Sequence, residues 1–430
     1  MKIAPFFFIV VFIWAGCATQ ETIDDPAGTH FIKFYGHDGD QEGRDLVVMP
    51  DGSMVLFGTT RPTQALDGLQ WLVTRVDVKG AVIWEKEYGQ QFDEEARDIE
   101  LMTSGDLVLV GNSYQGDGLR DVWVMTISAS DGSTLSAALI QVGDVDQPAP
   151  YPPSVGDEEA FTITQISDGG FIIAGTTTYT FSAPAPGPAD THDAFILRLN
   201  PDLSKNSNWT ELSSEIADEG FIKAIETPPG ASATNFFYAL GYSNVSTTSG
   251  GYDYWVQSFG ATGVQTLGEY YKGGAGNEKM SSFAFTGSQL VMNGLQTTTS
   301  SDFYILSSFL PTDTVIFQFE KTLALNLGTN LGGHTAICPA PVNGGFYILG
   351  EENGFNNNQN WILSRLNNDG TTAMSAPIVF GGEGFDSAGA IKELPDGRVV
   401  IIGTMRTGRP DAGEYKMTLI KVNGEGKFEK

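Results

Sequence analysis

The chain has 430 residues, with 52 acids against 24 Lys and Arg and a formal charge of -28 at pH 7. Hydrophobic residues make up 41% and charged residues 18%, which excludes a wholly disordered chain. The acid excess excludes a general nucleic-acid binder and an electrostatic grip on anionic lipid, because both need Lys and Arg against phosphate.

Met1-Lys2 gives a charged start, and Pro5 to Trp14 is an apolar run too short to span a bilayer. Small residues follow at Ala15-Gly16-Cys17, so residues 1–16 read as an export signal. No later segment approaches the ~18 consecutive apolar residues of a transmembrane helix. The Ala15-Gly16-Cys17 ending resembles the lipobox of bacterial lipoproteins. That resemblance implies cleavage before Cys17 and lipidation of Cys17 on its thiol and amine. The membrane is then a partner through the N-terminal lipid, since several acyl chains hold firmly where one is marginal. Ala18 follows the cysteine in place of Asp, which in such families favours the outer membrane, on its periplasmic or cell-surface face. Glu21, Asp24 and Asp25 make residues 17–29 an acidic tether, similar to the export signals of Bacteroidetes surface lipoproteins, although Ala18-Thr19-Gln20 comes first. The mature chain carries 23 bases against 52 acids, a charge of -29.

Beyond the tether one motif recurs. Asp45–Met49, the turn Pro50-Asp51-Gly52-Ser53 and Met54–Gly58 read as strand, tight turn, strand. Ala160–Ile166 with Ser167-Asp168-Gly169-Gly170 and Phe171–Gly175 repeats it, as does Ala390–Leu394 with Pro395-Asp396-Gly397-Arg398 and Val399–Gly403. The glycine ending the second strand falls at Gly58, Gly111, Gly175, Gly241, Gly294, Gly350 and Gly403, at spacings of 53, 64, 66, 53, 56 and 53. A third strand opens on a polar residue (Gln70, Asp121, Asp193, Asp253, Asp302, Asn360), and a fourth, such as Val82–Tyr88, closes the unit. Four antiparallel strands repeated seven times predict an all-β, seven-bladed β-propeller over residues 30–430. One blade cannot cover both its faces, whereas a ring covers each with a neighbour. The last unit ends at Lys427 before its fourth strand, and His30–Gly36 is a spare one. The N-terminal strand is therefore expected to complete the last blade. Asp168–Gly175 followed by Asp193–Asn200 is similar to the repeats of secreted β-propeller lipoproteins of Bacteroidetes, a group with no single activity to carry over.

The propeller reading sorts the loops. Turns from first to second strand are short, as at Pro50-Asp51-Gly52, with Pro228–Thr234 the exception. The opposite face has longer, polar, unequal loops: Thr60–Leu69, Ser113–Arg120, Thr177–His192, Ser243–Tyr252, Gln296–Ser301, Glu351–Gln359 and Met405–Gly413, with the connection Asp144–Pro153. Variable polar loops on a rigid scaffold are where binding usually resides. Acids recur just before the innermost strands: Asp40 and Glu42, Glu94 and Glu95, Glu158 and Glu159, Asp218 and Glu219, Glu278, and Asp386. A ring gathers them near one mouth of its channel, where they attract a cation or basic partner; the other reading is that each caps backbone amides. Asp38-Gly39-Asp40-Gln41-Glu42-Gly43 begins like a calcium loop, but position twelve is Met49 instead of Glu. No other cofactor is expected.

No catalytic constellation emerges. His30, His37, His192 and His334 form no His-Glu-x-x-His pair, and Gly111-Asn112-Ser113-Tyr114-Gln115 fails the nucleophile elbow at its last place. Cys338 reads as a buried inert thiol. The leading expectation is a non-enzymatic, lipid-anchored outer-membrane propeller that engages a protein or glycan through its long-loop face, within an envelope uptake or secretion assembly. The alternative is a carbohydrate-active hydrolase or lyase with an acidic site at the channel mouth.

Overall fold

The computed structural model describes residues 30–62, 68–90, 92–116, 118–142, 156–178, 192–212, 218–227, 237–244, 251–260, 265–274, 276–285, 290–297, 302–310, 316–323, 336–353, 358–382, 384–408 and 413–428. The expected signal peptide, Cys17 and the tether lie outside them, as do His334 and the Pro228–Thr234 turn. Among the described residues no helix is long and apolar enough to cross a membrane.

The described residues carry 28 strands in seven four-stranded antiparallel sheets. Six sheets take their strands in simple chain order. The first consists of Gly39–Val48, Met54–Pro62, Gln70–Val76 and Val82–Tyr88. The innermost strands are Gly39–Val48, Glu94–Leu101, Glu158–Gln165, Glu219–Glu226, Asn277–Phe285, Ala336–Pro339 and Ser387–Glu393. Each lies against the next, and the last lies against the first. The arrangement is an all-β β-propeller with four-strand antiparallel blades.

Burial follows from that ring. Leu107–Tyr114, a second strand, is buried almost throughout because a neighbouring blade covers each face. Val82–Tyr88, a fourth strand, is mostly exposed because it lies at the rim. The apolar clusters sit between blades: Val55, Phe57, Trp71 and Val73 pack with Ile99, Leu107, Leu109 and Trp123. The Trp71 and Trp123 rings stand 4.1 Å apart. Hairpin turns follow the Asp-Gly signal. Met49 N donates to Ser53 O at 2.8 Å, and Gly52 takes the left-handed φ of +81° that this turn requires.

The last sheet joins the chain's two ends. Phe31–Tyr35 pairs outside Glu414–Val422, in register from Phe31 with Lys421 to Tyr35 with Met417. Side chains tie this sheet to the first blade. Lys33 Nζ donates to Lys79 O at 2.7 Å, Tyr35 OH to Gly80 O at 3.0 Å and Lys421 Nζ to Val78 O at 2.7 Å.

Two segments read as loops are shorter than expected. Strands continue to Tyr114 and resume at Arg120, and Gln115 N donates to Leu119 O at 2.8 Å, so the pairing runs further into this segment than expected. The strand expected to end near Gly58 continues to Pro62. Residues 38–49, read as an incomplete calcium loop, enter strand structure at Gly39. The Asp144–Pro153 connection, and much of each of the other long loops, lie outside the described residues.

Candidate functional site

The recurring glycine has a steric cause that leads to the channel. The pairing of first and second strands slips by an extra residue between Gly43 and Asp45, Ala96 and Asp98, Ala160 and Thr162, Phe221 and Lys223, and Met280 and Ser282. These are β-bulges, which bend a strand and re-aim its side chains. The second-strand glycine faces each bulge. A Cβ at Gly111 would stand 2.1 Å from Glu95 O and 2.8 Å from Trp71 Cζ2; one at Gly58 would stand 1.8 Å from Glu42 O. Only glycine leaves room for the bulged carbonyl and for the ring of the preceding blade.

The bulges bring consecutive residues, such as Arg44-Asp45, Arg97-Asp98, Phe161-Thr162 and Ile222-Lys223, to one cavity on the axis. All seven innermost strands line it, and its volume is 430 Å³, within the ~300–1,000 Å³ usual for ligand pockets.

Its polar heart is a linked group of carboxyls and an amine. Asp98 Oδ2 accepts from Thr162 Oγ1 at 2.5 Å, Ile163 N at 2.9 Å and Lys223 Nζ at 3.0 Å. Lys223 Nζ also donates to Glu100 Oε1 at 3.3 Å, and Gln165 N donates to Glu100 Oε2 at 3.1 Å. Asp45 accepts from Ile99 N at 3.2 Å and hydrogen-bonds Asp98. Two carboxyls can bond only through a proton. Burial, then the Asp98 charge, pushes the Asp45 acid well above the usual carboxylate range. Burial works against ionised Asp98 too, but Lys223 and the bonds from Asp45, Thr162 and Ile163 outweigh it and hold Asp98 low. Burial raises Glu100 against the pull of Lys223. Lys392 and Cys338 also line the cavity. Cys338 is buried, and burial pushes its thiol up to about 12, so the thiolate nucleophile is suppressed.

The ten acids singled out in the sequence separate into three positions. Asp40 and Asp218 bond across blades: Asp40 Oδ1 accepts from Tyr415 N at 3.0 Å, and Asp218 Oδ1 from His192 N at 3.4 Å. Asp157 does the same, accepting from Arg120 N at 2.9 Å and from its guanidinium at 2.6 and 2.9 Å. Glu94, Glu158, Glu219, Glu278 and Asp386 are buried at 2% exposure or less. Ser113, Thr177 and Ser243 hydroxyls donate to Glu94, Glu158 and Glu219 at 3.3, 3.3 and 3.0 Å. Gln296 Nε2 donates to Glu278 at 2.5 Å, and Arg406 N to Asp386 at 2.9 Å. Burial pushes Glu158 up to about 8, with Asp121 adding, and Glu94 up to about 7. These five sit in seams between blades, where they serve the scaffold as acceptors. The third position holds Glu42, Glu95 and Glu159, which pair with arginines, two of which, Arg44 and Arg97, line the cavity. Arg44 meets Glu42 at 2.6 Å, Arg97 meets Glu95 at 3.0 Å and also Glu159, and Arg120 meets Glu159 at 3.1 Å.

Asp45, Asp98, Glu100, Lys223 and Lys392, which line the cavity, were not among the residues singled out in the sequence. A signal for part of the set exists. Arg44-Asp45, Arg97-Asp98, Phe161-Thr162 and Gly389-Ala390 each stand 14 and 13 residues before a recurring glycine.

No family model matches the chain, and no curated protein matches it by sequence. Among solved structures it is similar to an α-L-arabinanase of Penicillium chrysogenum complexed with arabinobiose, at 11% identity and a TM-score of 0.49 over 91% of this chain and 97% of that one. The WD40 domain of Neurospora crassa Pan2 gives 8% identity and 0.49, over 92% and 96%. The β-propeller domain of the Trilobed protease of Pyrococcus furiosus gives 8% and 0.46, over 91% and 98%. Likenesses at this level carry no chemistry across; the propeller assignment stands on the strand pairing.

Proposed function

We propose that this chain is a lipid-anchored outer-membrane propeller, held by Cys17, that binds a protein or glycan partner on its long-loop face as part of an envelope uptake or secretion assembly. The observation that carries the binding reading is the axial cavity, whose bulged strands turn charged and apolar side chains inward beneath the collar of Glu42, Glu95 and Glu159. Chain direction supports the orientation. Phe31 pairs with Lys421, next to the Asn423–Lys427 turn, and Lys33 reaches the Asp77–Ala81 turn. The tether therefore joins the ring on its short-turn side, and the opposite face is free to point away from the lipid. Crosslinking on intact cells followed by mapping tests the proposal: crosslinks concentrated near Glu42, Glu95 and Arg120 support it, and crosslinks confined to the 49–53, 102–106 and 394–398 turns count against it.

The hydrolase reading keeps one specific support, the Asp45–Asp98 pair, in which burial and the neighbouring charge raise Asp45 while Lys223 holds Asp98 low. It moves from the buried seam glutamates to the cavity. Turnover of a glycan panel that Asp45→Asn abolishes, with binding retained, selects this reading over the first.

A further inference from the structure

Resting on the binding reading, we infer that the axial cavity takes an uncharged polyol, such as the end of a neutral glycan. The reasons are charge balance and wall chemistry. Inside the cavity the carboxyls are already engaged: Asp98 and Glu100 hold Lys223 at 3.0 and 3.3 Å, and Asp45 bonds Asp98. At its collar Arg44 and Arg97 are matched by Glu42, Glu95 and Glu159. A cationic ligand meets Lys223, Lys392 and two arginines. An anionic ligand approaches a chain of formal charge -28 and finds Arg44, Arg97 and Lys223 already paired. Neither ion recovers its lost hydration, whereas hydroxyls can donate to Glu100 and accept from arginine and lysine without that cost.

The walls suit the same ligand. Phe161, Ile222, Phe283 and Ile337 supply apolar surface to the cavity, which a sugar ring's C–H faces can cover. Ser282 is among the residues lining the cavity, and its hydroxyl is shut from solvent with no hydrogen-bond partner among the described residues. A buried hydroxyl without a partner is costly unless a ligand or water satisfies it.

The test is calorimetric titration of the full mature chain with cellotriose, xylotriose and mannotriose, with trigalacturonate and with the glucosamine trimer. At least one neutral trimer is expected to bind, with a Kd that changes less than about twofold between roughly 50 and 500 mM NaCl. The charged trimers are expected to bind at least about tenfold more weakly than that neutral one. Ser282→Ala breaks no existing hydrogen bond and is expected to weaken the neutral trimer about fivefold, with an unchanged melting temperature. Phe161→Ala supplies a second variant at the wall, with the same expectation. A charged trimer binding best, a Kd that follows salt, or no neutral trimer binding overturns the inference. If none binds while crosslinks still map to the collar, the ligand class fails and the binding reading stands; if both fail, the binding reading goes too.

Discussion

At the residue scale, two positions show how the scaffold constrains its chemistry. Gly111 faces a backbone carbonyl and an indole that leave no room for a methyl group. Gly111→Ala is therefore expected to cost about 3 kcal/mol of stability, the upper range for overpacking a core, read as a lowered midpoint in urea denaturation. Glu158 makes a different prediction. It is 1% exposed, its Oε2 has no partner among the described residues, and burial raises it to about 8. Between the unfolded value near 4.3 and the folded one, the folded chain holds a proton that the unfolded chain has lost. Stability from this group is thus full at low pH and declines as pH rises toward about 8, by on the order of 3 kcal/mol between roughly pH 5 and pH 8. Glu158→Gln keeps the shape and removes the titration. The mutant's stability is expected to fall less over that window than the wild type's; parallel curves would show that Glu158 is ionised in the folded chain.

At the element scale, the repeat was readable because it is a local pattern. Alternating β-branched residues around Asp-Gly specify a hairpin without reference to the rest of the chain, and a glycine at a fixed place gives the period. The acids just before the innermost strands were readable too, but their roles were not. The same residue types serve as buried seam acceptors at Glu94 and as half-exposed partners of arginine at Glu95, one position on. Adjacent strand residues point to opposite sides, so one step changes the environment. The cavity residues stayed hidden because a bulge interrupts that alternation, and because Lys223 meets Asp98 across 125 residues of chain. The cross-blade bonds also make a testable element. Asp157 accepts three bonds from Arg120, which in turn holds Glu159. Asp157→Ala leaves that guanidinium half-buried beside one fewer acid, and is expected to cost about 3 kcal/mol. Asp157→Ala combined with Arg120→Met should recover part of the loss; a double mutant as unstable as the sum would show that the pair is not coupled.

At the scale of the whole molecule, the propeller depends on one short strand. Each blade buries its faces only against neighbours, so an incomplete seventh sheet exposes the first blade as well. Phe31–Tyr35 supplies a ladder to Glu414–Val422, buries Phe31 and Tyr35 at 8% and 5% exposure, and places two side-chain bonds, from Lys33 and Tyr35, on residues 79 and 80 of the first blade. Burying two aromatic side chains alone accounts for about 3–6 kcal/mol, a large share of a typical 5–15 kcal/mol total. Removing residues 30–36 is therefore expected to lower the melting temperature of the whole chain in one cooperative step, because loosening one junction exposes surface on both sides of it. Adding a synthetic peptide of residues 30–36 should restore part of the loss in a concentration-dependent manner, since a segment that binds only the folded ring stabilises it by mass action. A truncated chain that melts at the original temperature would mean that the ring closes through its apolar seams alone, with the terminal strand lying on a structure already complete.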